Sequence, residues 1–190
     1  VSLRQKAIAF TEHGKPMGWV AKKKYCDEKG IKYIHGVECY LTEKLLWDNS
    51  EKIRDNYHTI LIAKNFKGLL EINELISRST DKDHTYYHNR VSFDEFLQLS
   101  NNIITISACL ASPLNKLDVN NPMYEKLVKR YDYLEIQSHN CQEQKDFNTH
   151  LAIMSNKYHK PLIVGTDTHS LNKYKAECRK ILLKYKDRSY

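Results

Sequence analysis

Apolar residues along this chain fall into short continuous runs separated by stretches with helical spacing. Six runs read as strands: residues 6–14, 31–42, 58–65, 102–112, 131–139 and 161–170. Between them, 17–30 reads as a helix closed at Gly30, where a C-terminal cap is expected. Residues 66–79 repeat apolar side chains at Leu69, Leu70, Ile72, Leu75 and Ile76, the stripe of an amphipathic helix. Ser92 and Glu95, three apart, form a capping-box signature. Helices are also expected over 123–130 and 142–160, the latter stopped by Pro161. Gly36 marks an expected break in the second strand. Residues 43–57 and 80–91 read as polar loops.

Strands alternating with helices, most of them unbroken apolar runs rather than alternating ones, predict an α/β fold with a parallel sheet buried on both faces. In such sheets functional groups gather beyond the C-terminal strand ends. Here five of the six runs place a candidate ligand just after their apolar stretch: His13 after 7–12, Glu38 after 33–37, Cys109 after 103–108, His139 after 133–138, and Asp167 and His169 after 162–166. One run differs, because His58 opens it. Asp167 and His169 are two apart, so a strand would project both to one side; a turn or helix cap is the competing reading of Asp-Thr-His-Ser. Imidazoles bind borderline cations, a carboxylate bridges two of them, and a thiolate adds a soft donor. Cations held close together bind phosphate oxygens and acidify water, which makes phosphoester hydrolysis the natural reaction class.

Composition narrows the setting. The 190 residues suffice for one domain with a sizeable core. No apolar run approaches the roughly 20 residues that span a bilayer, so a cytoplasmic protein is expected. Five cysteines without a C-x-x-C pair predict reduced thiols, and Cys26, Cys39, Cys141 and Cys178 read as structural. The net charge of +7 invites a nucleic-acid partner, but most of it lies in 173–190, where a solvated helix face explains it as well.

The stretches "TEHGKPMGW", "GIKYIHGVECYL", "YHTILIAKNFKGLLEINELIS", "ITISACLAS", "YLEIQSHNCQEQ" and "VGTDTHSL" resemble, in order from residue 6 to about 172, the polymerase and histidinol phosphatase (PHP) domain of bacterial and phage DNA polymerase III alpha subunits. The resemblance implies a PHP-type distorted (β/α)7 barrel, similar to a TIM barrel, over 1–172, and a basic helical tail over 173–190 as a linker toward a polymerase core. It implies divalent metal ions, zinc, manganese or iron and up to three in number, held by His13, Glu38, His58, Cys109, Asp167 and His169. His13, Asp167 and His169 would also be catalytic. His139 and Arg90 would support the site or contact substrate, Arg90 with His84 and His88 from the rim. Two departures stand out. The family's His-x-His strand has no counterpart before Lys6, so the first strand is expected to be missing, and Glu12 replaces the usual Asp. DNA and replisome subunits are the implied partners, through a parent DNA-directed DNA polymerase, with no membrane. The implied activity is a metal-dependent phosphoesterase, including 3′–5′ exonuclease proofreading. The alternatives are a catalytically degenerate module that stabilises a polymerase and, more remotely, a small-molecule phosphatase of the histidinol phosphate type.

Overall fold

The structure, a computed structural model, describes residues 4–45 and 54–185. Part of the expected 43–57 loop and the last five residues of the 173–190 tail lie outside these residues. All six expected strands form. They are β1 (Ala7–Phe10), β2 (Lys32–Thr42), β3 (Tyr57–Ala63), and, after three two-residue strands β4 (Thr85–Tyr86), β5 (His88–Asn89) and β6 (Val91–Ser92), β7 (Ile103–Ile106), β8 (Leu134–Gln137) and β9 (Leu162–Gly165). The helices are α1 (Trp19–Glu28), α2 (Phe66–Arg78), α3 (Phe93–Leu97), α4 (Pro113–Lys116), α5 (Pro122–Arg130), α6 (Gln142–Tyr158) and α7 (Lys173–Tyr185).

The caps follow the sequence. Gly30 adopts φ 64 just past α1, with its N–H on the Asp27 carbonyl. Ser92 and Glu95 close the expected capping box on α3. Gly36 does not break β2. It lies within the strand, paired with Ile62, and glycine is required there because a Cβ would fall 2.8 Å from the Leu61 carbonyl oxygen and 3.0 Å from the Thr11 side chain.

The sheet is mixed, which corrects the parallel expectation. β1 runs parallel to β2, but β3 is antiparallel to both β2 and β7. A strand buried on both faces is apolar throughout whichever way it runs, so the pattern carries no direction. β8 and β9 form a parallel pair, joined to β7 by the Ile106–Tyr133 bridge. Among the described residues no closed barrel forms: β1 pairs with β2 alone and β9 with β8 alone, leaving their outer edges open.

The main core lies between the sheet and its helices. Val37, Cys39, Leu41 and Leu61 pack against Ile72, Leu75 and Ile76 of α2, Phe93 and Phe96 of α3, Leu127 and Val128 of α5, and Leu151 of α6. Each such side chain contributes about 1.5–3 kcal/mol by leaving water. Tyr131, fully buried, shares a 2.7 Å hydrogen bond with Thr59. Because side chains alternate along a strand, the opposite face carries Glu38, Tyr40 and His58. α7 buries none of its residues.

Candidate metal centre

The reversed direction of β3 puts His58 at the rim. β3 begins where β2 ends, with His58 opposite Tyr40 and Ile60 opposite Glu38. His58 and Glu38 are therefore diagonal neighbours on one face. The Nδ1 atom of His58 lies 2.9 Å from Glu38 Oε1 and 3.5 Å from Cys109 Sγ. Cys109 reaches this point because the chain turns after β7, with Ala108 at φ 61. The turn is pinned by the His58 N–H donating to the Ala111 carbonyl at 2.9 Å. A positive φ at a residue with a side chain is strained, and here it aims a candidate ligand.

Glu38, His58 and Cys109 offer one atom each within 4.8 Å of one another. Oxygen, nitrogen and sulfur donors at that separation fit a borderline divalent cation. The electrostatics of the cluster point the same way. Burial disfavours the His58 imidazolium, but its hydrogen bonds to Cys109 and Glu38 outweigh burial and raise its pKa to about 10. A proton on His58 thus supplies the positive charge between the carboxylate and the thiol. A cation would displace it.

His13 joins from the other side. The Glu38 N–H donates to the Glu12 carbonyl and the Gly14 N–H to the Glu38 carbonyl, fixing the loop after β1 against β2. His13 Nε2 then stands 3.4 Å from Glu38 Oε2, and the His13 and His169 rings are 5.5 Å apart. Asp167, at φ 44 just beyond β9, has Oδ1 3.6 Å from His169 Nδ1. These two residues also line a cleft of about 370 Å³ with Arg179 and Lys180 of α7. Four of the six expected ligands are joined by these distances around Glu38; His169 adjoins His13, and Asp167 adjoins His169.

The two expected supporting residues differ in exposure. His139 is exposed beyond β8. Arg90 is buried, 2% exposed, with Nη1 3.3 Å from Asp55 Oδ1 and 3.4 Å from Thr42 Oγ1, so it does not face the rim. A planar cation that binds a buried carboxylate and a hydroxyl together holds chain segments together.

One carboxylate escaped the sequence reading. Glu135, 5% exposed, sits on the face of β8 opposite Leu134 and Ile136. Burial pushes its carboxyl above the usual range; a 2.7 Å hydrogen bond from Gln137 Nε2 opposes this, and the charges of Asp167 and Glu38 add to it. Its head occupies the space a side chain at Gly165 would need. The signal was present: Glu135 and Gln137, two apart inside an apolar run, mark a polar-lined strand face.

The PHP domain family matches residues 1–139. Among curated relatives, the DNA polymerase III subunit alpha of Borreliella burgdorferi is 30% identical over 187 residues, covering 93% of this chain and 16% of the relative. That of Aquifex aeolicus is 32% identical over 183 residues, covering 88% and 16%. That of Thermus aquaticus is 27% identical over 189 residues, covering 93% and 15%. The chain thus spans about a sixth of the length of these relatives. A crystal structure from Bifidobacterium adolescentis, described as a candidate metal-dependent phosphoesterase, superposes with TM-score 0.56 at 13% identity, over 96% of this chain and 87% of that one. At that identity the likeness concerns the fold.

Proposed function

This chain belongs to the PHP domain family and is homologous to part of DNA polymerase III alpha subunits; on that premise we propose that its rim is a divalent-cation-dependent phosphoesterase centre acting on a phosphodiester at a DNA end. The convergence of Glu38, His58 and Cys109 carries the reading. On it, the sheet is an arc of the distorted (β/α)7 barrel that the family resemblance implies, and the setting is a cytoplasmic replicative polymerase. No helix among the described residues is long and apolar enough to cross a membrane.

Glu38, His58 and Cys109 would hold a first cation, and His13, Asp167 and His169 the facing half of the site. A divalent cation supplies positive charge for phosphoryl oxygens and makes water a better acid. The protein groups do the rest. Glu38 places one oxygen toward His58 and the other toward His13, the geometry of a bridging carboxylate. His58 would have to release its proton before that nitrogen could hold a cation. His13, with 60% of its side chain exposed, can reach solvent and substrate. Asp167 and His169 flank the cleft against α7, where Arg179 and Lys180 suit a phosphate.

One observation favours a second reading, a module that binds metal without turnover: Asp167 and His169 stand apart from the compact Glu38–His58–Cys109 cluster. The two readings separate in one experiment. Protein prepared without chelator is assayed for zinc, manganese and iron, and then for cleavage of single-stranded DNA, beside His58→Ala and His169→Ala. A hydrolytic centre gives metal lost in His58→Ala and cleavage lost in both variants. Metal bound without cleavage, or cleavage indifferent to both substitutions, rejects it.

A further inference from the structure

Residues 80–91, expected as a plain polar loop, contain a tight hairpin in which Thr85 pairs with Asn89 and Tyr86 with His88. Tyr87 is its tip, at φ 59, and the residue is 70% exposed. A bulky side chain in the left-handed region, displayed to solvent, is costly twice over. The base beneath it is anchored. Buried Arg90 ties the end of the hairpin to Asp55 and Thr42, and its guanidinium carbon lies 5.7 Å from the Tyr86 ring centre.

The hairpin also has a direction. Tyr86 meets Tyr87 edge to face at 4.8 Å, and the Arg54 guanidinium stacks over Tyr87 at 4.7 Å. On the other strand, exposed His88 meets Tyr40 at 5.3 Å, and Tyr40 meets His58 at 5.0 Å. A series of aromatic and cationic groups therefore runs from the solvent-facing tip to the candidate metal centre.

Flat π faces interleaved with guanidinium and imidazole groups complement a ligand with unstacked rings and a charged backbone. That is single-stranded nucleic acid, for which stacking on aromatic side chains is the sequence-tolerant part of binding. We propose that the β4–β5 hairpin is a nucleobase-stacking platform, on which Tyr87, backed by Arg54, receives a base of a single strand whose phosphate lies at the Glu38–His58 centre. The placement of the phosphate rests on the phosphoesterase reading; the stacking does not. His88, between the tip and Tyr40, faces the intervening backbone.

The test measures affinity by fluorescence anisotropy, in chelator so that nothing is cleaved. The probes are a short oligothymidylate and an abasic strand of the same length, with the unmodified protein, Tyr87→Ala and Tyr87→Trp. The platform predicts weaker binding of the abasic strand, a loss of about ten-fold in Tyr87→Ala for the oligothymidylate alone, and affinity kept or raised in Tyr87→Trp. Equal affinity of the unmodified protein for the two strands overturns it. So does undiminished oligothymidylate binding by Tyr87→Ala. Metal-stimulated hydrolysis of bis(p-nitrophenyl) phosphate, which carries no base, is measured separately on the unmodified protein. Its absence would count against the phosphoesterase reading and leave the base-dependent binding result to stand or fall alone.

Discussion

His58 Nδ1 lies 2.9 Å from Glu38 Oε1, across two strands that run in opposite directions. This contact turns a sequence anomaly into a site: a histidine at the start of its strand meets a carboxylate inside the neighbouring one. Because imidazole, carboxylate and thiol share one atom's neighbourhood, their properties are coupled, and each can be perturbed separately.

The pH dependence of metal-free protein follows from His58. Its folded pKa of about 10 exceeds the ordinary 6.5, so the folded state holds this proton more tightly than the unfolded chain does. The contribution of the cluster to stability is complete below about pH 6.5 and disappears as pH rises through about 10. Thermal melts in chelator should show Tm falling across pH 7–10, and His58→Gln should flatten that fall. A slope unchanged by the substitution would show that the proton resides elsewhere.

Replacing Cys109 tests the soft donor. Cys109→Ser keeps the shape of the side chain but removes the sulfur, and should lower zinc affinity by at least about ten-fold while affecting manganese less. Competition against a chromophoric chelator reads both constants. Equal losses for the two metals would place Cys109 outside the coordination shell.

Glu135 should be a liability in the absence of metal. Its raised pKa means that folding favours the protonated form, so its contribution is most favourable below the ordinary carboxyl value and is lost as pH rises through the folded one. Glu135→Gln should raise Tm in chelator at pH 7–8 and give no gain near pH 4. Gly165→Ala should cost about 1–3 kcal/mol, because its methyl group meets the buried Glu135 head. Adding Glu135→Ala to that variant should recover part of the loss, measured by urea denaturation.

Arg90 separates anchoring from substrate contact. Arg90→Ala leaves Asp55 without its buried guanidinium partner and should cost about 3–5 kcal/mol in urea denaturation. An unchanged midpoint with weakened DNA binding would instead return Arg90 to the rim.

Much of this was legible in the sequence because the relevant signals are local. The six apolar runs became the six longer strands; Gly30 and the Ser92–Glu95 box marked helix ends, since caps are written in neighbouring residues. The candidate ligands His13, Glu38, His58 and Cys109 could be named from their places in or beside the apolar runs and from the family resemblance, and the fold brings them near one another. The direction of β3 could not, because Thr59–Ile60–Leu61–Ile62 is equally apolar read either way. Nor could the hairpin at Tyr86–His88, whose two-residue strands are too short to show a period and depend on Arg90 and Asp55 meeting through the fold. Arg90 was misplaced for the same reason: a guanidinium in a polar segment reads as exposed until its buried carboxylate partner is seen.

Among the described residues β1 pairs with β2 alone and β9 with β8 alone, and these outer edges bear on handling of the isolated chain. Each presents a row of amide and carbonyl groups beside apolar side chains, with Ile8 37% exposed on one and Val164 71% exposed on the other. Such borders invite another polypeptide to add a strand, in a neighbouring copy as readily as in a partner. Lys6 and Pro161, immediately before the two strands, are residue types that discourage this pairing. Replacing them together, as Lys6→Thr with Pro161→Val, should make the chain self-associate at lower concentrations, visible as a mass that climbs with loading in light scattering.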